Sequence, residues 1–188
     1  MAKYTVFESA NMASTHFAER IFDCVADTDI ENGTFGYMGE QVEPGGHIYK
    51  FVPGFKDGEK VVVADQPAWT EDTCRITNQR RDQFVITAGT PFRVRVVKIN
   101  DEFGITIEGV TPASRDKMEL GAFLTIDSAT GKLVASDKAA ADSEPAVTDP
   151  AMEAVVMRKR MIGGTLVTAA HEYGYANEMY EARVKILG

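Results

Sequence analysis

The sequence has few of the residues that most often carry covalent or metal chemistry. Its 188 residues include two cysteines and three histidines. Cys24 and Cys74 are isolated, without the Cys-x-x-Cys spacing of a zinc site or the framework of a disulfide-rich domain. We interpret both as free thiols of a protein made in a reducing cytoplasm. His16, His47 and His171 lie far apart in sequence and no HExxH occurs, so no metal site is predicted.

Signatures of catalysis and of phosphate binding are missing as well. The sequence contains no G-x-S-x-G elbow, no G-x-x-x-x-G-K-[ST] loop and no G-x-G-x-x-G turn. Asp27–Gly33 begins like a calcium loop, but Asn32 and Met38 occupy the positions where an EF-hand has glycine and glutamate. A cysteine–histidine dyad stays open as a combination without specific spacing. We predict that the protein is not an enzyme and has no catalytic residue and no cofactor.

Long hydrophobic runs and basic stretches are also scarce. No apolar run approaches the roughly 20 residues that span a bilayer, and the first residues lack the apolar core of a secretory signal. The formal net charge is −8, and the densest basic clusters are Arg158–Arg160 and Arg80–Arg81. Because a duplex-binding protein needs a basic face to displace counterions, we predict neither nucleic-acid nor membrane binding.

What the sequence does contain is many short β-branched runs separated by Gly, Asn, Asp and Pro, above all between Gln83 and Ala135. In Phe92–Val97 apolar residues alternate with two arginines, and the same alternation runs from Tyr180 to Ile186. Both patterns are typical of half-buried strands. They predict a mainly β protein, an antiparallel β-barrel or sandwich of short strands, with room for a small second β-subdomain and few helices.

The composition divides the chain into three segments. Residues 1–30 are predicted to be an N-terminal arm or extended segment. Residues 31–75 form a small β-subdomain or sheet extension, and residues 76–188 form the main β-domain. Within the last segment, residues 136–150 are rich in Ala, Ser, Asp and Pro and are predicted to be a disordered-like loop.

Several local predictions can be compared with the structure. Tyr4–Phe7 is predicted to be a short strand. Asn100–Gly104 and Asp127–Gly131 are predicted to be hairpin connections, because both are rich in turn-forming residues. Helix is predicted to be scarce, with one short piece in either Ser14–Arg20 or Pro150–Val156.

One set of sequence segments occurs in a characteristic order. In chain order they are Glu31–Gly39, Glu43–Lys50, Lys60–Ala64, Thr87–Val94, Met118–Thr125, Thr130–Val134, Val155–Ile162 and Tyr180–Ile186. This order covers most of residues 31–188 and resembles the capsid decoration, or head auxiliary, proteins of tailed bacteriophages. Residues 1–30 and 136–150 do not contribute to the resemblance, and no site residue is carried over from the family.

The resemblance implies a structural virion protein that binds the outer surface of a phage capsid and stabilises contacts between major capsid subunits. It also implies the partners, which are the major capsid protein and copies of this chain in a symmetric oligomer. The protein would be made in the bacterial host cytoplasm and end on the capsid exterior. We further predict that an arm around Tyr4, Val6 and Phe7 docks on the shell by strand addition.

Three other functions stay open from the sequence. One is a glycan- or surface-binding β-module on the virion, with Trp69, Tyr173 and Tyr175 in the site. Another is a tail or connector structural protein. An enzyme of unrecognised class would need a cluster of His, Glu or Cys in a deep pocket, which a linear sequence does not reveal.

Overall fold

The computed structural model describes residues 4–67, 81–139, 150–162 and 177–188. These ranges contain eleven β-strands and four short 3-10 helices, which confirms the predicted mainly β fold class. The strands are β1 Phe7–Asn11, β2 Ile21–Val25, β3 Phe35–Gln41, β4 Ile48–Pro53, β5 Val62–Ala64, β6 Phe92–Val96, β7 Glu102–Thr106, β8 Phe123–Ile126, β9 Leu133–Ser136, β10 Met152–Ile162 and β11 Asn177–Leu187. The 3-10 helices are Ala13–His16, Arg81–Gln83, Ile107–Gly109 and Pro112–Lys117.

Five strands close into a barrel in the order β2-β4-β3-β5-β6. Four of its strand pairs are antiparallel, and the β2–β4 pair is parallel. The alternation predicted in β6 is confirmed, since Phe92, Val94 and Val96 are buried while Arg93 is exposed. These three side chains fill the barrel together with residues such as Cys24 and Val62, which gives the barrel its own apolar core.

The other six strands form an open sheet in the order β1-β7-β11-β10-β8-β9. Its longest pair, β10–β11, is antiparallel and joins two strands of 11 residues each. The β8–β9 pair confirms the predicted hairpin at Asp127–Gly131. At the outer edge of β9, the Thr111 amide donates to the carbonyl of Leu133 at 2.8 Å, and the Ala135 amide donates to Ser114 at 3.1 Å.

A second hydrophobic core lies between the barrel and the six-stranded sheet. Along β5, Val62 and Ala64 face the barrel interior, whereas Val61 and Val63 belong to the core that lies under the six-stranded sheet. Phe35 at the start of β3 packs against Phe103 of β7, with ring centroids 5.5 Å apart. Because the outer surface of the barrel is buried by the inner face of the sheet, the two substructures stabilise each other.

The hairpin between β8 and β9 makes a close backbone contact between the two substructures. The Phe35 amide donates to the carbonyl of Gly131 at 2.8 Å, and the Gly54 amide donates to the carbonyl of Phe35 at 3.0 Å. Gly131 has φ +68°, and a Cβ at this position would lie within 2.9 Å of the Gly54 nitrogen. The contact therefore requires a residue without a side chain.

Three local predictions were wrong. Asn100–Gly104 is not a hairpin connection, because β6 belongs to the barrel and β7 to the open sheet. Pro150–Val156 contains no helix, since β10 begins at Met152. The predicted strand Tyr4–Phe7 lies too early, because β1 starts only at Phe7. The short helix predicted within Ser14–Arg20 appears as the 3-10 turn Ala13–His16.

The strand positions cross the boundaries of the predicted segments. The barrel takes its strands from residues 21–96, and the open sheet combines β1 with the strands from residue 102 onward. Residues 7–11 of the predicted arm are a strand of this sheet, paired with β7. Most of the predicted disordered-like loop, residues 140–149, lies outside the described residues.

Candidate functional site

The outer face of the six-stranded sheet carries a dense set of paired charges. Its inner face is apolar, so the alternate residues of β1, β7 and β11 point outward. We call this surface the Arg–Glu face. It consists of Glu8, Arg81, Glu102, Arg158, Arg160, Glu181 and Arg183. These seven side chains come from four strands and one 3-10 helix, and four are cations in a chain of net charge −8.

Ion pairs connect five members of the Arg–Glu face across the sheet, and Arg183 forms a separate pair with Glu102 at 2.5 Å. Glu181 accepts from Arg160 Nε at 2.6 Å and from Arg158 Nη2 at 2.5 Å. Glu8 pairs with Arg160 and accepts from Arg81 Nη1 at 2.9 Å. Burial alone would raise the pKa of Glu181, but hydrogen bonds from the two arginines outweigh it and hold the pKa below its ordinary value. The face is thus an ordered network rather than separate surface charges.

A bulge in β10 brings Arg158 and Arg160 to this face. Val156 pairs with Ala182, and Arg158 pairs with the adjacent Glu181, so that Met157 is an extra residue in β10. Without the extra residue, Arg158 would share the inward orientation of Val156, because side chains alternate along a strand. A bulge that redirects side chains in this way is a common device beside binding sites.

A groove of about 310 Å³ lies on the Arg–Glu face between β7, β11 and β10. It is lined by Glu102, Met157, Arg158, Glu181, Ala182 and Arg183. The Arg158 side chain is 66% exposed, and the N–H groups of its guanidinium that do not bond Glu181 can donate to a partner. Arginine and methionine are both enriched in protein–protein interfaces. The groove is therefore suited to binding another polypeptide that offers carboxylates or carbonyl groups.

The basic cluster Arg158–Arg160 also lies along a strand edge. β8 pairs with only Glu153–Val155 of β10, and within the described residues no strand pairs with Met157–Ile162 on the side away from β11. Cations on an open edge disfavour pairing between two identical edges, since like charges would then face each other. This edge consequently favours a partner of different sequence over a second copy.

The structure places Val6 and Phe7, two residues of the predicted docking arm, inside the molecule. Both side chains are buried, and Tyr4 is half-buried. The β1 backbone is also engaged, because the Phe7 and Ser9 carbonyls accept hydrogen bonds from Arg81 at 2.7 Å and Thr15 at 2.6 Å. Docking of these side chains on a shell would require β1 to leave the sheet. The arm stays a prediction.

Of the cysteines and the aromatic residues considered for a glycan site, only Cys24 lies within the described residues. Cys24 is fully buried in the barrel, and burial raises the pKa of its thiol to about 12. A thiol that stays protonated and is shielded from solvent is a poor nucleophile. Cys74, Trp69, Tyr173 and Tyr175 lie outside the described residues.

The segment that begins like a calcium loop is used for structural contacts. Glu31 accepts hydrogen bonds from the Thr5 amide at 3.0 Å and the Thr5 hydroxyl at 2.6 Å. Its other oxygen accepts from Lys132 at 3.0 Å, and Asp29 caps the Ala88 amide at 2.9 Å. Within the described chain, no three His, Cys, Asp or Glu side chains converge as metal ligands would. Glu31 joins the segment before β1 to the barrel and to the β8–β9 hairpin.

We expect Glu31→Gln to be less stable than the wild type by about 1 to 3 kcal/mol at neutral pH. Burial alone would raise the pKa of the Glu31 carboxyl, but hydrogen bonds from Thr5 and Lys132 outweigh it and lower the pKa below its ordinary value of 4.5. A carboxyl with a lowered folded-state pKa stabilises the fold above pH 4.5, and that contribution disappears as the pH falls through the folded pKa.

Urea unfolding measured between pH 7 and pH 3 tests this expectation. The wild type should lose more stability than Glu31→Gln as the pH falls below 4.5, so the two curves should converge. Glu59→Gln is the control, because Glu59 makes only a 3.9 Å surface pair with Lys56. A constant gap between wild type and Glu31→Gln across this range would contradict the assignment.

The Arg–Glu face was largely missed in the sequence. Its members lie between residues 8 and 183, so spacing gives no sign that they meet. Two weak signals were present, the cluster Arg158–Arg160 and the outward alternation of Glu181 and Arg183 in β11. Glu8 and Glu102 gave no signal, because an isolated glutamate at a strand position does not reveal its neighbour across the sheet.

Comparison of the chain with protein-family models, curated proteins and solved structures gave no match. Among the described residues, the helices lack the length and apolar character needed to cross a membrane.

Proposed function

We propose that this chain is a structural protein of a bacteriophage virion that binds the outer surface of the capsid and stabilises contacts between major capsid subunits. The Arg–Glu face carries the proposal on the structural side. It offers arginines held in fixed positions by ion pairs and a groove suited to a polypeptide. The segments within residues 31–188, whose order along the chain resembles that of capsid decoration proteins, supply the identity of the partner.

The proposed activity follows from binding equilibria. A shell that expands around packaged DNA exposes junctions between subunits that do not exist before expansion. A protein that binds only those junctions shifts the equilibrium toward the expanded state. Many symmetric copies increase the effect, because each copy adds contacts between the same neighbouring subunits.

The proposal can be tested on particles of the phage that encodes the chain. We expect particles stripped of the protein to break at a lower temperature than complete particles, and add-back of the purified protein to restore their heat resistance. Imaging of particles should find the protein across the shell. Location only at the tail or connector, or unchanged heat resistance after stripping, would contradict capsid stabilisation.

A charge reversal tests whether the Arg–Glu face makes the contact. Arg158→Glu should reduce occupancy on stripped shells by about tenfold or more, since it places a like charge beside Glu181 and removes an interfacial donor. Lys56→Glu is the matched control. Lys56 is 61% exposed and pairs with one glutamate, Glu59, as Arg158 pairs with Glu181. Equal occupancy of the two variants would show that another surface binds the shell.

A further inference from the structure

Phe17 has a conformation and an exposure that neither folding nor packing explains. It follows the 3-10 helix Ala13–His16 and has φ 60° and ψ 14°, in the left-handed region. Its side chain is 97% exposed, the highest value among the large hydrophobic residues of the described chain. In this region Cβ crowds the backbone, and glycine or asparagine is the usual choice. A buried ring could compensate for the strain, but this ring is not buried.

The backbone around Phe17 is held in place on both sides. On the N-terminal side, the Thr15 hydroxyl donates to the Ser9 carbonyl at 2.6 Å, and the His16 ring bonds the Ala10 carbonyl at 3.0 Å. Directly after Phe17, the Ala18 amide donates to the carbonyl of Ala13 at 2.9 Å. These contacts fix the turn against β1.

The connection between β6 and β7 holds the same loop from the other side. Lys98 Nζ donates to the Ala18 carbonyl at 3.1 Å and pairs with Glu19 at 2.9 Å. Asp101 accepts from the Ala13 amide at 2.7 Å. Because the loop is tied at its start and its end, the ring of Phe17 is presented from a rigid support. A preorganised side chain loses little conformational freedom when it binds.

Two further features lie on the elements that hold the Phe17 loop, an exposed apolar residue and a connection to the Arg–Glu face. Ile99, next to Lys98, is 55% exposed. β1 leads from Glu8 of the Arg–Glu face to the Phe17 loop, and Asn11 at its end pairs with Glu102 of the same face. An exposed aromatic residue whose loop is flanked by charged side chains such as Lys98 and Glu19 has the composition of an interface anchor with a polar rim.

We infer that Phe17 is an aromatic anchor that inserts into an apolar pocket on the protein to which this chain docks. The inference rests on the proposed function, in which that protein is the capsid subunit. An isolated, protruding ring fits a concave acceptor, and buried aromatic anchors contribute most to such interfaces. Replacement of Phe17 by glycine removes both the ring and the backbone strain, so stability and binding should change in opposite directions.

Three cavities described on this chain would be poor acceptors for the ring in a second copy, because charged residues line them. Each of the three takes four of its lining residues from Asp, Glu, Lys and Arg. An anionic membrane is also a poor acceptor, because the chain has a net charge of −8. The observations therefore favour a different protein with an apolar pocket.

The test compares wild type, Phe17→Gly and Leu120→Ser in thermal unfolding and in binding to shells assembled without this protein. Leu120 is the matched control, a 65% exposed apolar residue in another turn. We expect the Tm of Phe17→Gly to be no lower than that of the wild type, while its affinity for shells falls about 30-fold or more. Leu120→Ser should bind like the wild type.

The outcomes separate this inference from the proposed function. Failure of the wild type to bind shells would overturn capsid binding itself. Normal shell binding by Phe17→Gly, or an equal loss in Leu120→Ser, would overturn only the role of Phe17. Two further results would overturn the claim that Phe17 inserts into a pocket on a different protein. One is Phe17-dependent binding to vesicles of phosphatidylcholine and phosphatidylglycerol. The other is a Phe17-dependent dimer in size-exclusion chromatography with light scattering.

Discussion

A Gly131→Ala variant should lose more than about 3 kcal/mol of unfolding free energy, which corresponds to a fall in Tm of roughly 6 to 12 °C. Two effects add at this position. Alanine at φ +68° is strained, which costs about 1 kcal/mol. Its Cβ would also collide with the carbonyl oxygen of Phe35, so the β8–β9 hairpin would have to move away from the barrel and lose the hydrogen bond that the Phe35 amide donates to the carbonyl of Gly131.

Gly121→Ala is the control that separates the two effects. Gly121 has φ +84°, and a Cβ there would meet nothing within 4 Å. Only the backbone strain applies, so we expect a loss of about 1 kcal/mol. Chemical and thermal unfolding of the two variants measure the difference. If Gly131→Ala and Gly121→Ala were equally stable, the close contact between hairpin and barrel would have to be abandoned.

Phe7→Ala should lower the unfolding free energy by about 3 to 5 kcal/mol, the usual cost of removing a buried phenylalanine ring. Phe7 stacks on Phe103 with a centroid distance of 5.7 Å and meets Phe35 edge-on at 6.4 Å. These three rings belong to β1, β7 and β3, so one side chain of the N-terminal strand supports both the sheet and the barrel.

Phe7→Leu is the matched variant for this prediction. Leucine keeps most of the apolar volume and loses only the aromatic contacts, so its cost should stay below about 1.5 kcal/mol. Equilibrium urea unfolding compares the two. A loss below 1 kcal/mol in Phe7→Ala would mean that the N-terminal strand is detached from the core in solution, as the predicted docking arm requires.

The same contacts determine how the arm can be tested. Deletion of residues 1–12 would remove Phe7 and Met12 from the core. Loss of shell binding after that deletion would therefore not distinguish docking from folding. Phe7→Leu provides the needed comparison, because it alters the side chain of the arm while preserving most of the packing.

The sequence was informative where one strand faces one core. In β6 the alternation of Phe92, Val94 and Val96 with arginines correctly gave the buried face. In β11 it correctly gave Tyr180, Ala182 and Val184, but not Ile186. The register of β11 against β10 shifts between Val184 and Ile186, and Ile186 is exposed. A bulge depends on the partner strand, so it is not visible in the alternation of one strand.

The sequence was misleading where the chain passes from one sheet to the other. The turn-forming residues between β6 and β7 indicated a hairpin, and a turn is indeed present, with Asn100 at φ 71°. Turn chemistry fixes the local change of direction, but pairing depends on which strands bury their apolar faces together. β7 pairs with β1 and β11 instead, and these strands lie more than 70 residues away from it in the chain.

The amino-acid sequence by itself determined the mainly β class, the β8–β9 hairpin and the buried faces of β6 and most of β11, because these depend on alternation and turn chemistry between residues close in the chain. Only the tertiary structure decided the division into barrel and sheet, the Arg–Glu face and the rigid, exposed position of Phe17. Each of these depends on contacts between distant segments, and such contacts leave no periodic signal in a single sequence.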